Sequence, residues 1–237
     1  MSMTSPGDNI TLVSGYWPIH SKHDKQAYDT WMRSTLCINQ RMYFFCDKES
    51  EAFIKECRGD RETIFIEHSI QNFHSRLFYN NQWRENYEIP SSDLGKIWHE
   101  KLNLLKIAKD LDRENATDFY VWYDAGCCLF RDNRPPQQRL NLSNIHAIPK
   151  DRVCYSSSYP PQPHHEVSGT VLVLHKDLIN DVHHLFYNCV KEHRHHASTW
   201  YYGSDQVIFT MLMKRYPHMF YKIADGYGNN LMELYNL

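Results

Sequence analysis

No apolar run in this chain approaches the roughly 18 residues that a membrane-crossing helix needs, so the sequence reads as having no membrane span. Met1 to Asn9 is small and polar, which suits a flexible N-terminus over residues 1–9 and neither a signal peptide nor an anchor. An excess of charge of either sign is missing too. Lys plus Arg number 26 and Asp plus Glu 28, for a formal charge of −2, which gives no electrostatic reason to expect nucleic acid as a partner. The seven cysteines contain no C-x-x-C pair and are odd in number, against both a disulfide framework and a zinc knuckle. Reduced thiols in a cytoplasmic protein are the simplest account of them. Internal repeats, heptads and low-complexity tracts are likewise lacking.

What the chain has is length and aromatic weight. Its 237 residues are ample for a real core, and 42% of them are hydrophobic, as in an ordinary globular protein. Aromatics reach 14%, with 16 tyrosines. Flat rings with a polar tip suit the stacking of sugars and bases, although most of them are expected to fill the core.

The central stretch is Phe119-Tyr120-Val121-Trp122-Tyr123-Asp124-Ala125-Gly126. Five apolar or aromatic residues without polar alternation read as a strand covered on both faces. Ligands of open α/β sheets collect outside the carboxyl ends of such strands, which is where Asp124 falls. Asp and Gly are also ordinary turn residues, so a plain turn fits the same letters.

Ile10–Ser14, Met42–Cys46 and Thr63–Ile66 read as further buried strands, with helices between them from about Lys25 to Leu36 and, capped by Ser50, up to Gly59. This alternation indicates βαβ units and a parallel sheet, hence an α/β fold. Gln71 to Pro90 is aromatic and amide-rich and reads as helical in part. Ser91-Ser92-Asp93 caps a helix to about Leu111, whose stripe of Leu94, Ile97, Trp98, Leu104, Leu105 and Ala108 has Lys101 at its centre. A buried ammonium needs an anion, either a core carboxylate or a ligand phosphate.

Strands are also expected at Val153–Tyr155, Val167–Leu174 and Phe220–Ile223, and helices at Leu178–Val190 and after Tyr201-Tyr202-Gly203. Ser204 or Asp205 would cap the latter, and a helix N-terminus also suits a polar or anionic ligand group. His183, His184, His193, His195 and His196 fall mostly off their helix's apolar face and read as solvated surface. The tail Asp225–Asn230 reads as a flexible loop.

Gly15 past the first strand, Asp47 after the second, the Lys-bearing helix, Trp122-Tyr123-Asp124-Ala125-Gly126 and Ser204-Asp205-Gln206 together carry a resemblance. The chain resembles the HtrL/YibB-type proteins, and more broadly is similar to nucleotide-sugar glycosyltransferases of GT-A fold, over most of its length. The resemblance implies a Rossmann-like GT-A sandwich with a mostly parallel central sheet and helices on both faces. It implies one domain over residues 10–237, with a nucleotide-sugar-binding half at 10–124 and an acceptor-side half at 125–237.

By the same resemblance Gly15, Tyr16, Trp17, Asp47, Lys101, Tyr123 and Gly126 would border the donor. Asp124 and Asp205 would be catalytic, and Gly169 and Gln206 would lie on the acceptor side. Such enzymes usually carry an Asp-x-Asp pair that holds a divalent cation; here Gly126 stands at the second acidic position. Asp124 alone would then hold Mn²⁺ or Mg²⁺, together with phosphate oxygens and water. The implied partners are a nucleotide-sugar donor and a glycan or other hydroxyl-bearing acceptor. Two other readings use the same residues. One is a phosphohydrolase with Asp47, Asp124 and a His converging on two metals, the other a non-catalytic nucleotide or glycan binder.

Overall fold

The structure, a computed structural model, describes residues 9–79, 89–114, 116–141, 147–160, 162–193 and 204–236. Strands β1 (Ile10–Tyr16), β2 (Met42–Cys46) and β3 (Thr63–Glu67) are joined through helices α1 (Lys25–Thr35) and α2 (Lys48–Arg58). Helix α3 (Ser92–Leu111) leads into β4 (Phe119–Tyr123). The chain continues through β5 (Val153–Ser157), β6 (Val167–His175), α4 (Ile179–His193), α5 (Asp205–Arg215), β7 (Phe220–Asp225) and α6 (Asn230–Asn236).

The strands form one seven-stranded sheet in the order β3-β2-β1-β4-β6-β5-β7. β1 lies parallel to both β2 and β4, while β6 is antiparallel to β4 and to β5, and β7 is parallel to β5. Only β6 therefore runs against the others, and the sheet is mostly parallel.

Strand alternation divides the core in two. Val13, Tyr120, Trp122 and Leu172 face Leu102, Leu105, Phe186 and Ile208 of α3, α4 and α5. Leu12, Phe119, Val121 and Tyr123 face Met32, Ile54 and Leu231 of α1, α2 and α6. Both faces of β4 are covered, which is why its sequence shows no polar alternation.

Several local expectations are corrected. Asp47, not Ser50, caps α2, accepting a 2.8 Å bond from the Ser50 amide. In the segment after β3, Ile70–Asn72 and Ser75–Phe78 form short 3₁₀ turns, and residues 80–88 lie outside the described residues. The expected terminal loop holds two tight turns, with Gly226 and Gly228 at φ of 96° and 78°, and then helix α6. His183 is half-buried against the Tyr187 ring at 4.7 Å instead of solvated, and His195 and His196 are outside the described residues. All seven cysteines are free thiols. Among the described residues no helix is long and apolar enough to cross a membrane.

Candidate functional site

From β1 the chain winds outward through α1 to β2 and β3, then returns through α3 to place β4 on β1's other side. Connections leaving the carboxyl ends of β1 and β4 diverge, and such a switch point opens a crevice. A cleft of about 460 Å³ lies there. Its walls are Gly15 and Tyr16 at the end of β1 with Trp17 to Ile19 beyond it, Lys22 and His23 before α1, Lys25 and Tyr28 of α1, Ile97, Trp98 and Lys101 of α3, and Trp122, Asp124, Ala125, Gly126 and Arg131.

Asp124 forms the floor. Tyr120, Trp122 and Asp124 share one strand parity, so the carboxylate follows Trp122 onto the α3 side. Trp122 Nε1 donates to Asp124 Oδ1 at 2.7 Å, and 35% of the Asp124 side chain remains exposed. Helix α3, capped by Ser91 on the Leu94 amide, directs Lys101 at the same oxygen. Lys101 Nζ lies 3.0 Å from Asp124 Oδ1 and 2.7 Å from Asp205 Oδ2, and donates to the Gly169 carbonyl at 2.8 Å. At 3% exposure this ammonium is a core group, paired with carboxylates as one of the two sequence alternatives required. Burial works against its charge, but Asp124 and Asp205 outweigh that and hold its pKa above the ordinary lysine value. Burial also pushes the Asp124 carboxyl above its usual range, with Lys101 opposing and the Asp205 charge reinforcing the shift.

Asp205, the first residue of α5, is 3% exposed and is not part of the cleft wall. It sits behind Lys101, pressed against β6 where Gly169 leaves room. A Cβ on Gly169 would come 2.2 Å from Asp205 Oδ2. Gly169 and Gln206 thus serve this buried contact, the Gln206 amide donating to Asp205 Oδ1 at 3.0 Å. His99, two residues before Lys101 on α3, is buried with its Nδ1 2.9 Å from the Tyr79 hydroxyl. Burial lowers its pKa to about 4.

The outer walls are aromatic and basic. The Trp17 ring lies across Gly15, where a Cβ would meet it at 2.6 Å, and its Nε1 donates to the His68 carbonyl. Tyr28 bonds Ser21 through its hydroxyl and lies near Tyr16 and Trp31. Arg131 stacks 3.7 Å over the Trp31 ring while its Nε donates to the Gly126 carbonyl. Lys22 lies 5.5 Å from the Trp98 ring centre. Just beyond the floor, exposed Cys128 has its pKa lowered to about 7 by the buried Cys127 thiol beside it.

No family model and no curated protein matches this chain.

Of the residues expected at the donor, Gly15, Tyr16, Trp17, Lys101 and Gly126 do line one cleft, together with Asp124, expected as catalytic and metal-holding. Asp47 and Tyr123 do not. Asp47 is engaged in capping α2, and Tyr123 has the opposite strand parity, buried on the α1 side with its hydroxyl on the Thr35 carbonyl. Cleft residues that the sequence expectations did not assign to the site include Tyr28 of α1, Trp98 of the α3 stripe and Arg131. Trp98 stands one helical turn before Lys101, a spacing that marks one face.

The divalent cation implied by the resemblance fits these residues poorly. Asp124 Oδ1 already takes Lys101 and Trp122, and Asp205 Oδ2 faces the same ammonium. Among the described residues no group of three or more His, Cys, Asp or Glu side chains could hold a metal ion.

Proposed function

We propose that this protein is a glycosyltransferase that moves a sugar from a nucleoside-diphosphate donor to a hydroxyl of a glycan or similar acceptor. One observation carries the reading: Asp124, fixed by Lys101 and Trp122, opens into an aromatic and basic cleft at the sheet's switch point. It is the one carboxylate on that wall among the described residues. Its outward oxygen is available to sugar or acceptor hydroxyls, and a pKa raised by burial suits it to accept a proton. Flat rings such as Tyr16 and Trp98 suit the base and sugar faces, and Arg131 suits a phosphate. In the reaction the acceptor oxygen forms a bond to the anomeric carbon as the bond to the departing diphosphate breaks. The GT-A arrangement is part of this proposal, as is a reducing compartment such as the cytoplasm, which the seven free thiols favour.

Asp205 acts here as a positioning residue, since it reaches the cleft only through Lys101. Its burial favours a second reading, in which the cleft binds a nucleotide sugar without turning it over. The two-metal phosphohydrolase has no such support, because Asp47 is engaged elsewhere. The test is release of nucleoside diphosphate from a panel of UDP-, GDP- and ADP-sugars, with glycan acceptors and with water alone. Release that disappears in Asp124→Asn supports the transferase; binding without release supports the second reading; neither binding nor release contradicts both.

A further inference from the structure

We infer that the Lys101 ammonium holds the seat between Asp124 and Asp205 that a divalent cation would otherwise take, so that the cleft binds its ligand without a metal ion. The inference rests on the nucleotide-sugar reading, because it is a diphosphate that would call for such a cation.

An ammonium has three N–H bonds, and Lys101 faces three oxygens within 3.0 Å: Asp124 Oδ1, Asp205 Oδ2 and the Gly169 carbonyl. It hydrogen-bonds the Gly169 carbonyl and pairs electrostatically with both carboxylates. A divalent ion approaching the same oxygens must displace a buried cation or stand close to it at strong like-charge cost. Mg²⁺ needs near-octahedral oxygens at about 2.0–2.1 Å, whereas the outward oxygen of Asp124 is the only one on this carboxylate that Lys101 and Trp122 leave open. The Gly169 backbone completes the device: without a Cβ it lets Asp205 close on the ammonium from behind.

Lys101 cannot by itself also neutralise a diphosphate, since two carboxylates and one ammonium leave a net negative charge. That role falls to the basic residues of the same cleft, Arg131 with Lys22 and with Lys25, which also pairs with Asp29. Arg131 is the best prepared of these. Its guanidinium is held flat by Trp31 and by the Gly126 carbonyl, which leaves other N–H groups for phosphate oxygens. The site thus offers a lysine-locked carboxylate for hydroxyl groups and further cations, Arg131 first, for phosphate.

The test begins with Mn²⁺ alone, titrated into the full chain and followed by electron paramagnetic resonance of the free ion. The wild type should show no site tighter than about 1 mM, whereas Lys101→Ala, with two carboxylates now facing one space, should bind Mn²⁺ at least about tenfold more tightly. Adding Asp124→Asn to Lys101→Ala should abolish that gained site. A wild-type site tighter than about 0.1 mM that Asp124→Asn removes overturns the inference, whether or not Lys101→Ala folds. In a second arm, nucleotide sugars are titrated in EDTA and in Mn²⁺. Affinities agreeing within about twofold support the inference, and a loss of about tenfold or more in EDTA overturns it. If no nucleotide sugar binds in either buffer the proposed function fails, while the manganese arm still decides what Lys101 does.

Discussion

Lys101 and Asp205 meet at 2.7 Å on one face of the sheet, between α3 and α5, each about 3% exposed, and together they fix the floor carboxylate of the cleft. Removing one partner of a buried ion pair leaves the other charge without compensation. Lys101→Met should therefore destabilise the protein by about 3–5 kcal/mol in urea unfolding. Asp205→Asn combined with Lys101→Met should recover part of that loss, because it removes a stranded charge. A single-variant cost below about 1 kcal/mol would show that the pair is not buried as described.

Gly169→Ala tests the same contact from the backbone side. The added methyl would stand 2.2 Å from Asp205 Oδ2, so the carboxylate must swing away from Lys101. Overpacking of this kind costs about 1–3 kcal/mol, and the variant should also bind ligand more weakly because Lys101 and Asp124 shift with it. Asp205→Gly in the Gly169→Ala background should relieve the steric part. Unchanged stability and unchanged binding in Gly169→Ala would contradict the packing.

Acid should loosen the fold through His99. Burial takes its pKa from the usual 6.5 to about 4, so between those values the folded chain holds fewer protons than the unfolded one. The stabilisation is thus complete above pH 6.5 and is lost progressively as pH falls towards 4, at up to about 1.4 kcal/mol per pH unit from this one group. His183, whose pKa burial also lowers to about 4, adds to the slope. Denaturant midpoints measured from pH 7 to pH 5 should fall, and His99→Gln should flatten the fall. Midpoints that stay level across that range would contradict the buried neutral imidazole.

Much of this was legible in the sequence because local pattern and tertiary position coincide. Phe119–Tyr123 reads as a doubly covered strand and is one, and Lys101 in the α3 stripe announced a buried partner. The parity of Tyr120, Trp122 and Asp124 was equally open to view; applied strictly, it would have removed Tyr123 from the donor residues. Which carboxylates Lys101 meets was not legible, since that depends on β6 pairing with β4 and on α5 packing behind β6. Asp47 looked like Asp124, a carboxylate after a buried strand, yet the helix beginning at Lys48 needs it as a cap. Arg131 reaches the cleft through loop geometry, for which periodicity offers no signal, and Tyr28 does so from α1, whose placement beside β4 depends on tertiary packing.

The most direct measurement is calorimetric titration of UDP-, GDP- and ADP-sugars into the wild type and Asp124→Asn, in buffer containing EDTA. At least one donor should bind the wild type with a Kd in the micromolar range and bind Asp124→Asn at least about tenfold more weakly, with the fold intact by circular dichroism. Equal affinity in the two proteins, or no binding of any donor, would contradict the placing of a nucleotide sugar at the carboxyl end of β4.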